Sequence, residues 1–370
     1  MQIDMHYYGV YVTARAAGLN GKVSQIIAAS SQYVDDNIET KLIQLGDGST
    51  FEIKPTAHHA ANLSNLKVSD QRSIWVPFHF LPGNVGSSFE RRMICRQDSL
   101  PAQEMMERTK RKALQWSGGY GPYLVGIASH VYMDTFAHYG FSGISSKCNG
   151  IQDDSLQFTV ENQKVSEHVK RQGVKFRKRY GKRTQKWGFL RKILSRFAET
   201  ASGNLGHGSV LTMPDRPYMK WSFKYQDVSP NTVEFRNNQV SFMEAVSRIY
   251  GTYKSLAHDL NWWAVPNDYR CPEEELKARI FDLLGVEGTK EERINEWKKL
   301  MQSGFITGLE EHIPEYPIRT WERELRALDL PHSNPSTAVK TNIFKFTQAA
   351  ESHRQYVLKS LMPKYGLMVL

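Results

Sequence analysis

The chain has 370 residues, 40% of them hydrophobic and 11% aromatic, which is enough to bury a large core without disulfide staples. Its formal net charge of +10 favours anionic partners such as phosphoesters, nucleic acid or acidic lipid surfaces, without choosing among them. Cys95, Cys148 and Cys271 are scattered and form no C-x-x-C pair, which argues against a disulfide framework or a thiolate zinc site and for a reducing compartment.

The opening run "MQIDMHYYGVYVTARAAG" lacks a basic stretch followed by an apolar one, so no signal peptide is expected and a cytoplasmic location is the default. "HYYGVYVTARAAGL" reads as a first helix and "NGKVSQIIAASSQYVDD" as a second, with Val23, Ile26, Ile27, Ser30 and Val34 on one face and a turn at Gly18 to Gly21. "KLIQLGDGSTFEIKP" alternates around Asp47-Gly48 and predicts a small peripheral β-hairpin, the main β element expected. Helical spacing returns from Leu100 to about Tyr139, interrupted by "SGGYGP". Within it, "YGPYLVGIASHVYMDTFAHYG" approaches membrane-spanning length, but two histidines, an aspartate and a proline make it a buried helix, and no transmembrane segment is expected. Beyond Ser241 the pattern is mostly helical, with a capping box at Thr289 and Glu292. No Gly/Ser- or Pro-rich linker and no internal repeat divides the chain.

In "HVYMDTFAHYG", residues four apart share a helix face, so His130 and Asp134 can grip one cation at about 2.0 to 2.2 Å. His138 continues the row but lies about 12 Å along the axis from His130, too far for one ion to hold all three. Two ions about 3.5 to 4 Å apart, sharing ligands, suit the spacing better. A polar row satisfied by neighbouring helices is the competing reading. Other candidates sit in short motifs: Asp4 and His6 in "IDMHYYG", Asp35 and Asp36 in "QYVDD", His79 in "IWVPFHFLPGN", His207 and Asp215 in "GHGSVLTMPDRPY". His79 lies between apolar neighbours and is not expected at the surface, while Gly206 and Gly208 would let the backbone approach closely around His207. His58 and His59 form a second-choice pair, and His168, His312, His332 and His353, in charged contexts, read as surface.

Together these motifs, from residue 4 to about 222, resemble a bacterial domain family of unknown function that is in turn distantly similar to the zinc-dependent phospholipase C and single-strand nuclease superfamily. The resemblance implies a mainly α, multi-helix bundle with a metal site in its core and two zinc ions or three. Carried over, Asp35, His79, His130 and Asp134 would hold one ion, His138 and His207 a second, and His6 with a shared Asp134 a third. The superfamily's later H-x-x-x-E motif is broken, because Leu211 stands four residues after His207, and Asp215 is the replacement carboxylate. The superfamily also uses a mature N-terminal tryptophan as ligand, where this chain has Met1 and where Asp4 could substitute. The domain reading is a metal-binding helical core at 1–222, with a basic insertion at about 164–197, and a C-terminal helical extension at 223–370 packed on it.

That insertion, "KVSEHVKRQGVKFRKRYGKRTQKWGFLRKILSRF", is strongly basic, and its end spaces Trp187, Leu190, Leu194 and Phe197 as one helical face. It suits either an anionic membrane surface or single-stranded nucleic acid, with Lys175, Arg177, Lys178, Arg179 and Trp187 as substrate-binding candidates. A solvated helix docked on the core is the plainer alternative. The function expected is a phospholipase C-like, zinc-dependent hydrolase of phosphoester bonds using an activated water, with Asp35 or Asp36 bridging metals or accepting the proton. The alternatives are a zinc-dependent single-strand nuclease and a non-catalytic protein whose metals only stabilise the scaffold.

Overall fold

This computed structural model describes residues 1–58, 67–117, 119–152, 154–180, 205–228, 232–265, 271–330 and 333–369, with the side chains of 172–180 excepted. The chain opens with α1, a π-helical turn at Asp4–Gly9 that runs on as an α-helix at Val10–Ala16. Gly18 reverses direction at φ +92°, a left-handed conformation that suits glycine. The Asn20 side chain then caps α2 (Gly21–Asp36) by accepting the Val23 N–H at 3.0 Å, completing the expected helical hairpin. Strands β1 (Lys41–Gln44) and β2 (Thr50–Ile53) pair antiparallel with Leu42 opposite Glu52, around a tip where Asp47 Oδ1 accepts the Ser49 N–H.

Next comes α3, a helical run through Val68–Asp70, Gln71–Trp75 and Val76–Phe78 that ends at His79. Ser99 caps α4 (Leu100–Gln115), and α5 (Gly121–Ala137) follows at once. Every residue of α5 is buried, because α2, α4 and two later helices, α7 (Asn238–Asp259) and α11 (Asn342–Tyr356, continuing through Leu361), pack around it. That explains why its sequence is apolar on all sides. Among the described residues no helix is long and apolar enough to cross a membrane. Gly126 is what brings α5 against α2, since a Cβ there would lie 2.3 Å from the Ile27 carbonyl oxygen. The helices bearing Asp35 and His130 therefore run side by side.

The hairpin is not the main β element. A three-stranded antiparallel sheet, β3 (Gln157–Thr159), β4 (Lys220–Phe223) and β5 (Glu234–Asn237), is larger and covers a second apolar cluster containing Phe80, Phe141, Met219 and Phe223. Its strands are three and four residues long and pair across long intervals, so they leave no local periodicity to read. The basic helix α6 (Gln163–Tyr180) lies between β3 and β4 in sequence. Helices α8 (Glu273–Leu284), α9 (Lys290–Gln302) and α10 (Ile318–Leu328) precede α11, and the capping box of α9 forms with Thr289 and Glu292 as expected.

Residues late in the chain hold its beginning. Arg293 of α9 pairs with Asp4 at 2.6 Å and donates to Gln2, both partners of the ion pair being almost wholly buried. Tyr316 donates to Asp36 at 2.8 Å. His353, expected at the surface, is instead fully buried with Nε2 donating to the Pro77 carbonyl, because the charged stretch around it packs its inner face on α3. His168 and His312 are exposed as expected, and His332 lies outside the described residues.

Candidate metal centre

Helix α5 carries His130 and Asp134 on one face and ends at Ala137, so His138 leaves the helix and turns into the same space. Asp134, 1% exposed, is the hub: Oδ2 lies 3.2 Å from His130 Nε2, 3.3 Å from His79 Nδ1 and 3.6 Å from His138 Nδ1. Its Oδ1 lies 3.2 Å from His6 Nε2 and 2.8 Å from the amino group of Met1. From the end of α2, Asp35 Oδ1 sits 3.8 Å from both His79 Nδ1 and His130 Nε2. On the other flank, Asp215 Oδ1 lies 3.2 Å from His138 Nε2 and 3.7 Å from His207 Nε2.

Three groups result: His6, His130 and Asp134; Asp35, His79 and His130; His138, His207 and Asp215. Each resembles the ligand set of a small oxygen- and nitrogen-loving ion. Ligand atoms about 2.0 to 2.1 Å from a tetrahedral zinc lie roughly 3.3 Å from one another, close to the separations found here.

Backbone carbonyls set the histidine tautomers. His79 Nε2–H donates to Thr56 at 2.9 Å, His138 Nδ1–H to His79 at 2.9 Å and His207 Nδ1–H to Leu211 at 2.8 Å. In each neutral ring the other nitrogen then presents its lone pair to the carboxylates. Lone pairs facing carboxylate oxygens repel unless a proton or a metal ion lies between them, although His79 Nδ1 can also accept from His130 Nε2 at 3.2 Å. Three buried nitrogens of the centre, both of His6 and Nδ1 of His130, have no hydrogen-bond partner among the described residues. Thr56 is itself fixed, its hydroxyl donating to the Val34 carbonyl of α2 at 2.7 Å, which couples His79 to the turn that carries Asp35.

Packing holds the second flank. Phe80 stacks on His138 with ring centroids 4.7 Å apart and lies 5.9 Å from His207. Gly206, at φ +56°, has the Phe80 ring so close that a Cβ would meet it at 2.5 Å, so this position combines a left-handed backbone with a close approach. Leu211, where the resemblance would place a carboxylate, contributes its carbonyl instead.

The electrostatics reflect three carboxylates among imidazoles, Asp134 buried, Asp215 mostly covered and Asp35 at the solvent edge. Burial opposes a charged Met1 amine, yet Asp134, Asp215 and Asp35 raise it to about 11. Partial desolvation among the surrounding rings raises the Asp35 carboxyl to about 6 against the pull of His130 and the amine. Asp134 and Asp215, although buried, are held well below the usual carboxylate range, the former chiefly by His138 and the amine, the latter by His207 and the amine. His138 is raised by Asp134 despite its burial, whereas burial lowers His6 and His207.

Some expected residues lie elsewhere. Asp36 turns out of the centre, where Oδ2 accepts from Tyr316 and from Gln32. Asp4 faces Arg293 rather than the histidines. His58 pairs with Asp70 at 3.2 Å, and His59 lies outside the described residues. Lys175, Arg177, Lys178 and Arg179 fall within α6, but their side chains lie outside the described residues, as does Trp187. Sequence reasoning missed the Met1 amine, which had a signal in the N-terminal ligand implied by the resemblance, and the carbonyls of Thr56 and Leu211, which had none.

The model of one protein family, described as a family of unknown function (DUF6765), matches residues 1–361. No curated protein and no solved structure matches the chain.

Proposed function

The chain belongs to the DUF6765 family, whose function is unknown, and from the chemistry gathered around Asp134 we propose that this protein is a metal-dependent hydrolase of phosphoester bonds, phospholipase C-like in using zinc. One observation carries the reading: five imidazoles and three carboxylates converge in three neighbouring groups, two of which share His130, with one carboxylate, Asp35, at the solvent edge. Nitrogen and oxygen donors without thiolate suit zinc. Asp35, His79 and His130 would hold one ion and His138, His207 and Asp215 a second, with Asp134 shared. His6 with Asp134 would serve a third, and the Met1 amine, 2.8 Å from Asp134, would join it on losing its proton. When bound, neighbouring zinc ions supply Lewis acidity toward phosphate oxygens and lower the pKa of water toward about 7.

The chain's own residues do the rest. Thr56, His79 and Leu211 lend backbone carbonyls that orient the imidazoles. Asp35 has a side chain 32% exposed, where Asp134 is 1% exposed, so it is the carboxylate that can meet substrate and take up a proton from water. Asp36, tied to Tyr316 and Gln32, fixes the end of α2. The net charge of +10 and the basic helix α6 favour an anionic substrate, either lipid or single-stranded nucleic acid. The depth of His6, His130 and Asp134 favours a second reading, in which metal only stabilises the fold.

Zinc-loaded protein assayed on bis(4-nitrophenyl) phosphate, phospholipid vesicles and single-stranded DNA separates these readings. The hydrolase reading expects turnover of at least one substrate, abolished by chelator and reduced about 10²-fold or more by Asp35→Asn. Stoichiometric zinc with no turnover of any substrate would leave metal as a structural element.

A further inference from the structure

Beside the centre lies a hollow of about 470 Å³, within the roughly 300–1,000 Å³ typical of small-molecule sites. The first turns of α6 supply Lys164, His168 and Arg171 to one wall, at the i, i+4, i+7 spacing of a single helix face. Lys290, the first residue of α9, lines it from a second element. Arg216 and Arg293, 7% and 1% exposed, are the buried cations of its lining. Gln2 and Arg216 also line it, and these are the chain neighbours of Met1 and Asp215, so the hollow adjoins the centre along two stretches of chain.

Its charges are unevenly spent. Arg293 is committed to Asp4, Gln2 and the Gly288 carbonyl. Glu292 is committed to the capping box, and Glu291 is the remaining carboxylate of the lining. Lys164, Arg171 and Lys290 have no ion-pair partner among the described residues. The capping box satisfies the N–H groups of Thr289 and Glu292, leaving those of Lys290 and Glu291 at the positive end of a 13-residue helix. Cations from two helices lining one concave site, together with first-turn N–H groups, suit a compact oxyanion carrying more than one charge.

We propose that this hollow is a phosphoryl-group site, formed by Lys164, Arg171 and Lys290 with the N-terminus of α9, and distinct from the metal centre. The group could arrive as free phosphate or as the phosphomonoester of a larger ligand. The site does not require metal, so it stands apart from the hydrolase reading.

The test is titration calorimetry of the full-length protein with inorganic phosphate and, separately, with glycerol phosphate. Binding should weaken about tenfold or more in Lys164→Gln/Lys290→Gln, tighten in Glu291→Gln, and fall with added salt. Asp35→Asn should leave it unchanged, which separates this site from the centre even if the protein hydrolyses nothing. A preference for glycerol phosphate would identify a larger ligand, and equal binding would identify free phosphate. Absence of phosphate binding to the wild-type protein, or binding lost in Asp35→Asn but kept in the folded double lysine variant, would overturn the proposal.

Discussion

Asp134 is the carboxylate on which most of the centre converges, within 3.6 Å of an amine and four imidazoles. In metal-free protein its closest countercharge is the Met1 ammonium, whose pKa rises from 8.0 to about 11. A group raised on folding contributes stability that is fully present below its unfolded pKa and is lost as pH rises through the folded one. Chelated wild-type protein should therefore lose stability between about pH 8 and 11, and Asp134→Asn should flatten that loss while also lowering zinc content. Thermal melts across this pH range, with elemental analysis at neutral pH, provide the check. Equal slopes in both proteins would mean that the amine is not held by this carboxylate.

At the scale of elements, the centre depends on how closely α2 approaches α5. Gly126→Val would push a side chain into the Ile27 carbonyl and the Ser30 side chain, and only a shift of one helix can relieve it. Overpacking of this kind costs about 1–3 kcal/mol, and here it should also part Asp35 from His130. Zinc affinity should fall while most helical content by circular dichroism remains. Unchanged zinc affinity in the neighbouring variant Val125→Ala would show that the effect belongs to the interface and not to α5 as a whole. These elements were largely legible in sequence. The i, i+4 spacing of His130, Asp134 and His138 and the apolar setting of His79 come from local pattern, and the hairpin turn comes from Gly18 and Asn20. The three-stranded sheet, the burial of His353 and the carbonyl partners of the histidines were not, because each depends on a contact between distant segments that no single stretch encodes.

For the molecule as a whole, the buried Asp4–Arg293 pair joins the start of the chain to its last third. Arg293→Met would leave Asp4 buried without its partner, at a cost of about 3–5 kcal/mol. The double variant Asp4→Asn/Arg293→Met should recover much of that loss by removing the stranded charge. Chemical denaturation of the four proteins measures the coupling, and additive effects would show that the pair contributes nothing as a pair. Because residues 1–6 bring both His6 and the Met1 amine to Asp134, the single variant should also weaken zinc binding.

The same ion pair imposes an order in time. Asp4 and His6 are synthesised long before Arg293, the side chain that clamps Asp4, and before His207, which completes the second flank. A nascent chain thus holds the segment around Asp4 without its anchor until Arg293 has been synthesised, and contacts of such long sequence separation form slowly. Until then the Asp4 carboxylate lacks its countercharge, and closure of the cluster around Asp134 belongs among the last events of folding.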